Sequence, residues 1–567
     1  MYKTTISKFN IALLFAYLIP PAVTLCFIAI FSVNAPFWDQ WSLVNLFEKI
    51  IKGKVSFVDF FAQHNEHRIL FPKIIYTILA FVSNWDIRYE SYFSVFLVVI
   101  TFLIFYKIST LNAKNNLNVS KHLTNILTCV LLFSIVQYEN WLWGFQLAWF
   151  LVNTCLATAV LIISLSNNYP KRLYLAAIPC FIASFSLAHG LLTWLAVIPS
   201  IVSIKGNARQ KKIRITIWLL LFLLNLVAYF INYHKPNHHP TTLFFVKNPL
   251  ATLHYFFTLL GTPLIYKAIL PTLVGIIFFG VFLLLTFHFV KKTNFMLNID
   301  LEVASWISIG LFAILFALVT TLGRAGYGVG HAMSVKYITS SILLIISTIH
   351  LSQIFLSNNS FIIGIVLGLF LMNSINQLPQ ISSLHLQRQA GETCLALIKF
   401  IEGTEHKCFE GLLPLSFNSQ LKNYAETLEE IGLREFPKDI SFMTKPIKSY
   451  GSLDYPSTTK NSITNSRNGR INLSGWCTLP NSQELPKIVL FSYGSSKSFF
   501  ADVLVNPGSS NIAKAFNFNR INKIRWNANI STKFLPLGET VIKAWIYEPA
   551  DKQFIKLNGE IKVNVVE

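Results

Sequence analysis

The stretch Asn10-Ile-Ala-Leu-Leu-Phe-Ala-Tyr-Leu-Ile-Pro-Pro-Ala-Val-Thr-Leu-Cys-Phe-Ile-Ala-Ile-Phe-Ser32 decides the fold class of this chain. It is apolar for long enough to cross a lipid bilayer as a single helix. A short basic segment, Met1 to Lys8, precedes it and gives this region the look of a signal peptide. The apolar run is too long for that and lacks a small-residue cleavage site, so we expect an uncleaved first span.

The composition of the whole chain agrees with a membrane protein. Of its 567 residues, 53% are hydrophobic and 13% are charged, with a mean hydropathy of +0.51, whereas soluble domains carry roughly 25% charged residues. The net charge of +21 comes from Lys and Arg scattered between apolar runs. That scatter favours charges at membrane edges over a nucleic-acid-binding face, so we expect a bilayer and no nucleic acid as partner.

Apolar runs predict roughly eleven transmembrane helices. The run 69–82 is too short to cross and is predicted to be an interfacial helix. With that assignment the basic clusters at 107–121, 171–172, 205–214 and 291–292 fall on one side, which the positive-inside rule makes cytoplasmic, together with the N-terminus. The predicted spans are 10–32, 89–107, 122–137, 143–166, 172–188, 190–204, 213–232, 268–290, 301–321, 338–356 and 359–377.

The pattern changes near residue 380, and the predicted fold is an α-helical polytopic membrane protein with a small C-terminal extracytoplasmic β-sandwich. Residues 1–380 form the transmembrane domain, with a first outer loop at 33–88. Residues 381–436 have helical periodicity, and 437–468 have the composition of a linker. Residues 469–567 contain short alternating runs typical of a sandwich, at 471–477, 488–493, 499–505, 524–530, 541–547 and 556–566.

Two cysteines in the predicted outer tail, Cys394 and Cys408, form a disulfide if the tail is extracytoplasmic, although their spacing alone does not establish the pair. The other cysteines of the apolar runs are expected to behave as small hydrophobes.

Four segments of the predicted outer face hold most of the unusual polar residues. The first is Asn34-Ala-Pro-Phe-Trp-Asp-Gln-Trp41, where Trp38 and Trp41 flank Asp39. Ionisable groups beside a membrane span are costly and more often functional. Either the tryptophans form an interfacial belt and Asp39 caps a helix, or Asp39 is a general base that takes a proton from an acceptor hydroxyl.

The second segment is Gln63-His-Asn-Glu-His-Arg-Ile-Leu-Phe-Pro-Lys73. On a helix, His64, His67 and Arg68 would share a face. Arg68 and Lys73 are candidates for holding a phosphate, and His64 or Glu66 for proton transfer or a divalent metal. A structural hydrogen-bond network is the third alternative, and the spacing lacks the Glu-x-x-His pattern of carboxylate metal sites.

The third segment, Gln137-Tyr-Glu-Asn-Trp-Leu-Trp-Gly-Phe-Gln146, combines aromatic rings with polar side chains. Such a set suits a sugar, whose C–H face stacks on a ring while amides bind its hydroxyls. An interfacial aromatic belt explains the same residues. The candidates for sugar contacts are Glu139, Trp141, Trp143 and Gln146.

The fourth segment, Gly323-Arg-Ala-Gly-Tyr-Gly-Val-Gly-His-Ala-Met-Ser-Val-Lys-Tyr337, is rich in glycine, which permits unusual backbone dihedrals. It follows a membrane span rather than a strand, so it is not a dinucleotide fingerprint. It is either a flexible turn or a pocket for a lipid phosphate. The candidates for that pocket are Arg324, His331, Lys336 and Tyr337.

This layout resembles the GT-C class of glycosyltransferases, notably the aminoarabinose transferases and protein mannosyltransferases. The resemblance covers roughly residues 1–380 and rests on an acid after the first span, interfacial segments before the second, roughly eleven spans and an outer C-terminal domain. Phe71-Pro-Lys-Ile-Ile-Tyr-Thr-Ile-Leu-Ala-Phe-Val-Ser-Asn-Trp85 is similar to their interfacial helix, and Trp38-Asp-Gln-Trp41 with His64-Asn-Glu-His-Arg68 resembles a bacterial group of predicted GT-C proteins. Many relatives carry a second acid where this chain has Gln40, which leaves metal use open.

The resemblance implies an enzyme of the bacterial inner membrane that transfers a sugar from a polyprenyl-phosphate donor to an extracytoplasmic glycan, lipid or protein, with inversion. Asp39 would be the base, with Glu66 and His64 as further catalytic candidates, and the phosphate would be held by Arg68, Arg324 or Lys336. No cofactor is certain, and a divalent metal stays open. A transporter or flippase, or a polymerase or ligase, of lipid-linked glycans is the alternative.

Overall fold

The computed structural model describes residues 8–111, 118–165, 170–236, 240, 243–293, 299–403, 406–455, 463–480, 485–505 and 524–567. The chain divides into two compact units. The first unit comprises Met1–Ser32, Ser56–Leu79 and Arg88–Gln377. The second comprises Val33–Val55, Ala80–Ile87 and Leu378–Glu567.

Helices dominate the first unit. In chain order, the α-helices of the described residues are α1 Lys8–Phe31, α2 Leu43–Ile51, α3 Phe57–Phe61, α4 Leu70–Ser83, α5 Arg88–Ser109, α6 Val119–Leu132, α7 Tyr138–Leu142, α8 Leu147–Ser164, α9 Pro170–Ser184, α10 Leu192–Ala196, α11 Ile198–Ser203, α12 Ala208–Phe230, α13 Phe244–Lys247, α14 Pro249–Gly261, α15 Leu270–Lys292, α16 Leu301–Arg324, α17 Val329–Ala332, α18 Ile338–Leu356, α19 Ser360–Ala396 and α20 Asn418–Glu430.

Nine segments of the described residues are helical, long and apolar enough to cross a membrane, so this is a multi-pass membrane protein. Each corresponds to one of the spans predicted from the sequence. Two further predicted spans, 172–188 and 190–204, correspond to the shorter apolar helices Arg172–Ser184 and Ala188–Ser203, and Leu70–Ser83 is also short. The nine are Ile11–Phe31, Arg88–Ser109, Val119–Leu142, Gly144–Ser164, Ala208–Phe230, Leu270–Lys292, Leu301–Tyr327, Val335–Leu356 and Ser360–Ala396.

A helix that the sequence analysis missed, α14, lies in the stretch predicted as an outer loop. It packs closely on α15, because Gly261 and Gly275 let the two backbones approach. A Cβ atom on Gly261 would overlap the carbonyl of Pro271, and one on Gly275 would overlap the carbonyl of Phe257. Small residues at such crossings are typical of helix packing in membranes.

Strands form most of the C-terminal part of the second unit. A two-stranded hairpin, β1 Gln63–His64 and β2 His67–Arg68, belongs to the first unit. The remaining strands are β3 Ser441–Met443, β4 Gly451–Tyr455, β5 Ile463–Ser466, β6 Arg470–Cys477, β7 Ile488–Tyr493, β8 Ala501–Leu504, β9 Ile524–Ser531, β10 Gly538–Glu548, β11 Gln553–Lys556 and β12 Ile561–Val566.

These strands form two sheets. The larger runs β3-β11-β10-β12-β5, with β7 also paired to β10 and β8 paired to β7, and the smaller runs β4-β6-β9. Buried side chains of both sheets, among them Leu473, Phe491, Trp526, Ile546 and Val563, belong to one hydrophobic cluster. The C-terminal region is therefore β-rich, with a core built by alternating inward side chains.

The segment 437–468 differs from the linker that its composition predicts. It holds β3, β4 and β5, while 456–462 lie outside the described residues. β3 pairs in parallel with β11, and β5 with β12. Their hydrogen bonds therefore come from strands more than 90 residues away along the chain, which is roughly 300 Å of extended chain. The predicted run 556–566 contains the end of β11 at Lys556 and then β12 at Ile561–Val566, whereas 488–493 has the predicted bounds.

Candidate functional site

The segment from Gln63 to Arg68 is a tight hairpin rather than a helix. Gln63 pairs with Arg68 and His64 with His67, and Asn65 at the turn has a φ of +49°. Asn tolerates this left-handed conformation better than most residues. Successive strand residues point to opposite sides, so the helical grouping of His64, His67 and Arg68 on one face is wrong.

Arg68 is buried and bound to backbone carbonyls. Its Nε donates to the Tyr229 carbonyl at 2.6 Å and its Nη1 to the Phe61 carbonyl at 2.9 Å, and a further short bond reaches Ile231. The guanidinium also lies over the Phe61 ring, 4.4 Å from its centre. These carbonyls end α12 and α3, where helices leave acceptors unsatisfied. Arg68 therefore stabilises helix ends in this structure.

Lys73 has a similar structural environment. Its Nζ donates to the carbonyls of Asp59 at 2.9 Å and Ala62 at 3.1 Å, at the end of α3. Burial lowers the pKa of Lys73 to about 8. The two cations that the sequence singles out beside the hairpin thus both satisfy carbonyls, and their described contacts give no support to phosphate binding.

Glu66, at the hairpin turn, forms an ion pair with Arg324 at the end of α16. Both side chains are about one-fifth exposed, at 21% and 20%. The Tyr229 hydroxyl donates to the backbone carbonyl of Glu66 at 2.8 Å and holds the turn in place. The second and fourth sequence segments therefore meet, although 258 residues separate the paired side chains.

His67 is held in one tautomer. Its Nδ1 accepts a hydrogen bond from the backbone N–H of Ala188 at 3.1 Å, so the neutral ring carries its proton on Nε2. That nitrogen lies 3.6 Å from Oε1 of Glu66. Burial lowers the pKa of His67 to about 4, although Glu66 opposes the shift, so His67 is uncharged at neutral pH.

His331, which follows Arg324 in the chain, lies among tyrosine side chains. Its Nδ1 is 2.9 Å from the Tyr255 hydroxyl and 3.5 Å from the Tyr337 hydroxyl. Burial, together with the charges of Lys336 and Arg324, lowers the pKa of His331 to about 4. Tyr255 comes from α14, so the helix missed in the sequence supplies one wall of the site.

Lys336 connects these groups with the third sequence segment. Its charge acts on His67, on His331 and on Glu139. Glu139 is partly buried. The predicted residues that the structure brings into one electrostatic cluster are Glu66, His67, Glu139, Arg324, His331, Lys336 and Tyr337, which we call the polar cluster.

His189 joins the polar cluster and was missed in the sequence. It is 7% exposed, and its ring lies 4.6 Å from Trp149 and 5.1 Å from Phe316. Its Nε2 has no hydrogen-bond partner among the residues that the structure describes, and its electrostatic neighbours are His67 and Glu66. A single histidine between two apolar runs gave no spacing signal by which to find it.

The aromatic candidates of the third segment are mostly structural. Trp141 is fully buried, donates from Nε1 to the Ser134 carbonyl at 2.8 Å and stacks on Phe150 at 4.4 Å. Gln146 is 5% exposed. Trp143 and His64 lie against the Phe145 ring, at 6.2 and 5.4 Å.

Asp39 belongs to the second unit, in a 3-10 helix of Trp38–Ser42. The Trp38 N–H and the Trp41 indole both donate to the Leu412 carbonyl, at 2.8 and 3.2 Å. Trp41 is buried and stacks on Tyr424 at 5.8 Å, whereas Trp38 is 45% exposed at a φ of +47°. Trp41 therefore packs in the core, and Trp38 and Asp39 reach the surface.

Among the described residues, one group of side chains has ligand atoms close enough together for a metal: Cys394, Cys408 and Asp502. The two cysteines are joined in a disulfide, so this group does not fit an ion. His64 and Glu66, which the sequence suggested for a metal, are not part of it.

Compared with known proteins, this chain matches no family model, no curated protein and no solved structure.

Proposed function

We propose that this membrane protein is a glycosyltransferase that moves a sugar from a polyprenyl phosphate to an extracytoplasmic acceptor, with inversion. The observation that carries the proposal is the ion pair of Glu66 and Arg324, flanked by the neutral rings of His67 and His331. A carboxylate suits a reaction in which a hydroxyl loses a proton, and a cation suits one in which a phosphate leaves. Glu66 and Arg324 supply these two groups beside uncharged histidines.

Arg324 and Lys336 are the cations proposed to bind the donor phosphate. Arginine matches the geometry of a phosphate with two parallel hydrogen bonds. Arg324 also lies 5.8 Å from the centre of the Tyr327 ring, which keeps its guanidinium plane oriented. Fixed cations aimed at the leaving group stabilise the charge that develops in the transition state.

The proposed reaction uses the contacts of Glu66 and Arg324. The donor phosphate competes with Glu66 for Arg324, and the released carboxylate is then able to accept a proton. The acceptor oxygen attacks the anomeric carbon, its proton passes to a carboxylate, and the sugar–phosphate C–O bond breaks with the electron pair on the phosphate. Trp149 and Tyr337, whose rings are 6.0 Å apart, are proposed to contact the apolar face of the sugar.

Two carboxylates compete for the role of base. Asp39 is the candidate from the sequence, and Glu66 is the carboxylate of the polar cluster. Removal of the base costs typically about 10²–10⁴-fold in rate. Asp39→Asn and Glu66→Gln keep the side-chain shape, so the variant that loses that much transfer at unchanged expression identifies the base.

We further propose a bacterial inner-membrane location with the N-terminus in the cytoplasm and the β-rich region outside. The basic clusters at 107–121, 171–172, 205–214 and 291–292 fall on one side of the predicted spans, which supports this orientation. The two sheets are proposed to be the faces of a β-sandwich, because their buried residues share one cluster.

The enzyme proposal is tested by sugar transfer in membranes supplied with radiolabelled polyprenyl-phosphate hexoses. Arg324→Gln and Lys336→Gln should each lower transfer by about 10²-fold, the effect of losing one transition-state contact. Lys291→Gln, an exposed lysine at the end of α15, is the matched control and should transfer normally. Equal activity of all three variants would sink the phosphate assignment.

A transporter of lipid-linked glycans is the second candidate. The short apolar helices Arg172–Ser184 and Ala188–Ser203 meet at His189, and interrupted helices often mark transport sites. A transporter would move a polyprenyl-phosphate sugar across a vesicle without releasing polyprenyl phosphate, whereas the enzyme releases it.

A further inference from the structure

A polar cavity of about 410 Å³ lies in the β-rich region of the second unit. Cavities of roughly 300–1,000 Å³ suit small ligands. We propose that this cavity binds an acidic saccharide. This function does not depend on the glycosyltransferase proposal, since every residue that carries it lies in the second unit. Its lining includes His406, Lys407, Glu410, Arg470, Asp502, Asn529 and Phe534.

The lining holds two cations and two carboxylates, and Arg470 is the cation that we propose binds the anion. Lys407 is 63% exposed and pairs with Glu410 at 3.1 Å. Arg470 is exposed and, in the part of the chain that the structure describes, has no ion-pair partner. A surface arginine without an acid is available for a carboxylate, which it binds with two parallel hydrogen bonds.

The one further acid of the lining, Asp502, has a carboxylate that is buried in the wall and does not face a ligand. Its side chain is fully buried against His406. One oxygen lies 2.8 Å from Nδ1 of His406, and the other accepts the backbone N–H of Cys408 at 3.0 Å. Both carboxylate oxygens are therefore engaged inside the wall.

Two neutral groups favour a sugar over a bare anion. The Asn529 amide donates to Oδ1 of Asn472 at 2.6 Å, which orients its own carbonyl oxygen to accept from a hydroxyl. Phe534 is half-buried at the cavity wall and offers a ring for the C–H face of a sugar. A few polar groups around an apolar contact are the usual make-up of a small-molecule site.

The wall that carries Lys407 and Glu410 is pre-organised. The disulfide Cys394–Cys408 fixes one point of it. His406 fixes another, because its Nε2 lies 2.7 Å from the Glu402 carbonyl while its Nδ1 faces Asp502. A rigid site loses less entropy when it orders a ligand.

The test is calorimetric titration of the full-length protein in detergent with digalacturonate, with the neutral disaccharide maltose and with sulfate. Digalacturonate should bind at least about tenfold more tightly than either. Arg470→Gln should weaken its binding about tenfold or more, and Phe534→Ala should weaken it as well.

Arg525→Gln is the matched control. Arg525 is 76% exposed, lies on the same strand as Asn529 and is not a lining residue, so this variant should bind normally. Sulfate binding as tight as that of digalacturonate would mean an anion site only and would overturn the saccharide assignment. So would maltose binding equally well, equal losses in Arg470→Gln and Arg525→Gln, or no binding of digalacturonate at millimolar concentration.

Discussion

At the scale of the residue, four cations of the first unit differ in the groups that they contact, and these contacts, rather than residue type, indicate what each cation does. Arg68 and Lys73 donate to carbonyls at helix ends. Arg324 faces a carboxylate, and Lys336 acts on several titratable groups. The first two stabilise the fold, and the last two are the cations that we propose bind the donor phosphate.

Arg68→Met tests the structural role of Arg68. It leaves carbonyls at the ends of α3 and α12 without donors, so we expect the free energy of unfolding to fall by about 2–4 kcal/mol. Thermal unfolding in detergent measures the loss. Lys52→Met, which breaks exposed pairs with Glu48 and Glu430, should leave it nearly unchanged. A stable Arg68→Met protein with weak donor binding would instead favour the phosphate role.

Two histidines of the polar cluster, His67 and His331, predict a pH dependence. The folded-state pKa values of His67 and His331 are both about 4, below the unfolded value of about 6.5. Between these values the unfolded chain binds more protons, so stability is full above about pH 6.5 and falls as the pH drops toward 4. The melting temperature should therefore be lower at pH 5 than at pH 7.5. The double variant His67→Asn, His331→Asn should flatten the curve, and an unchanged slope would contradict the assignment.

At the scale of the element, the hairpin β1–β2 places Glu66 where Arg324 meets it. Its turn depends on Asn65 in the left-handed region, and Tyr229 anchors the backbone of Glu66. A helix over the same residues would have put the same side chains elsewhere. The catalytic proposal therefore depends on a turn of two residues.

Substitutions of Asn65 test this dependence. Asn65→Gly should fold and transfer sugar normally, because glycine adopts positive φ without strain. Asn65→Val should lose about 1–2 kcal/mol of stability and lower transfer, because a β-branched residue resists this conformation. Melting curves and the transfer assay report both effects. Equal behaviour of the two variants would mean that the turn has no role.

The membrane-spanning helices and several strands of the β-rich region were predictable from the sequence, whereas the hairpin β1–β2 and the helix α14 were not. Every helix long enough to span a membrane matched a predicted run, because bilayer thickness imposes a length that apolar residues reveal. The hairpin has too few residues to show a period, and α14 is marked by little more than Pro249 at its start. The ion pair of Glu66 and Arg324 was beyond prediction, since no local pattern connects residues so distant in sequence.

At the scale of the whole molecule, the chain combines a membrane unit that contains the polar cluster with a second unit that contains Asp39, a disulfide and a separate cavity. Runs of apolar residues predict the helices of the first unit. The alternating pattern of the C-terminal strands predicts much of the second unit. The residues proposed to bind the donor phosphate lie in the first unit and those proposed to bind the acidic saccharide lie in the second, so the two proposals are tested with different variants.

The orientation of the spans is tested with a reporter that is active outside the cytoplasm. Fused after Glu567 it should be active, and fused after Gly206, within the most basic loop, it should be silent. Reporter expression measured with an antibody controls for unequal synthesis. Reversed activities would place the polar segments on the cytoplasmic side and would exclude an extracytoplasmic acceptor.

The position of the bridge between Cys394 and Cys408 in the chain also bears on when the disulfide forms relative to the strands. The two cysteines are 14 residues apart and precede every strand from β3 onward, so on an outer face the bridge is able to close while the ribosome is still making the sheets. Asp502 arrives later and finds the N–H of Cys408 already fixed. A cell starved of thiol oxidation is therefore expected to insert the spans, yet to deliver a protein in which the cavity proposed to bind a saccharide lacks the disulfide that fixes one point of its wall.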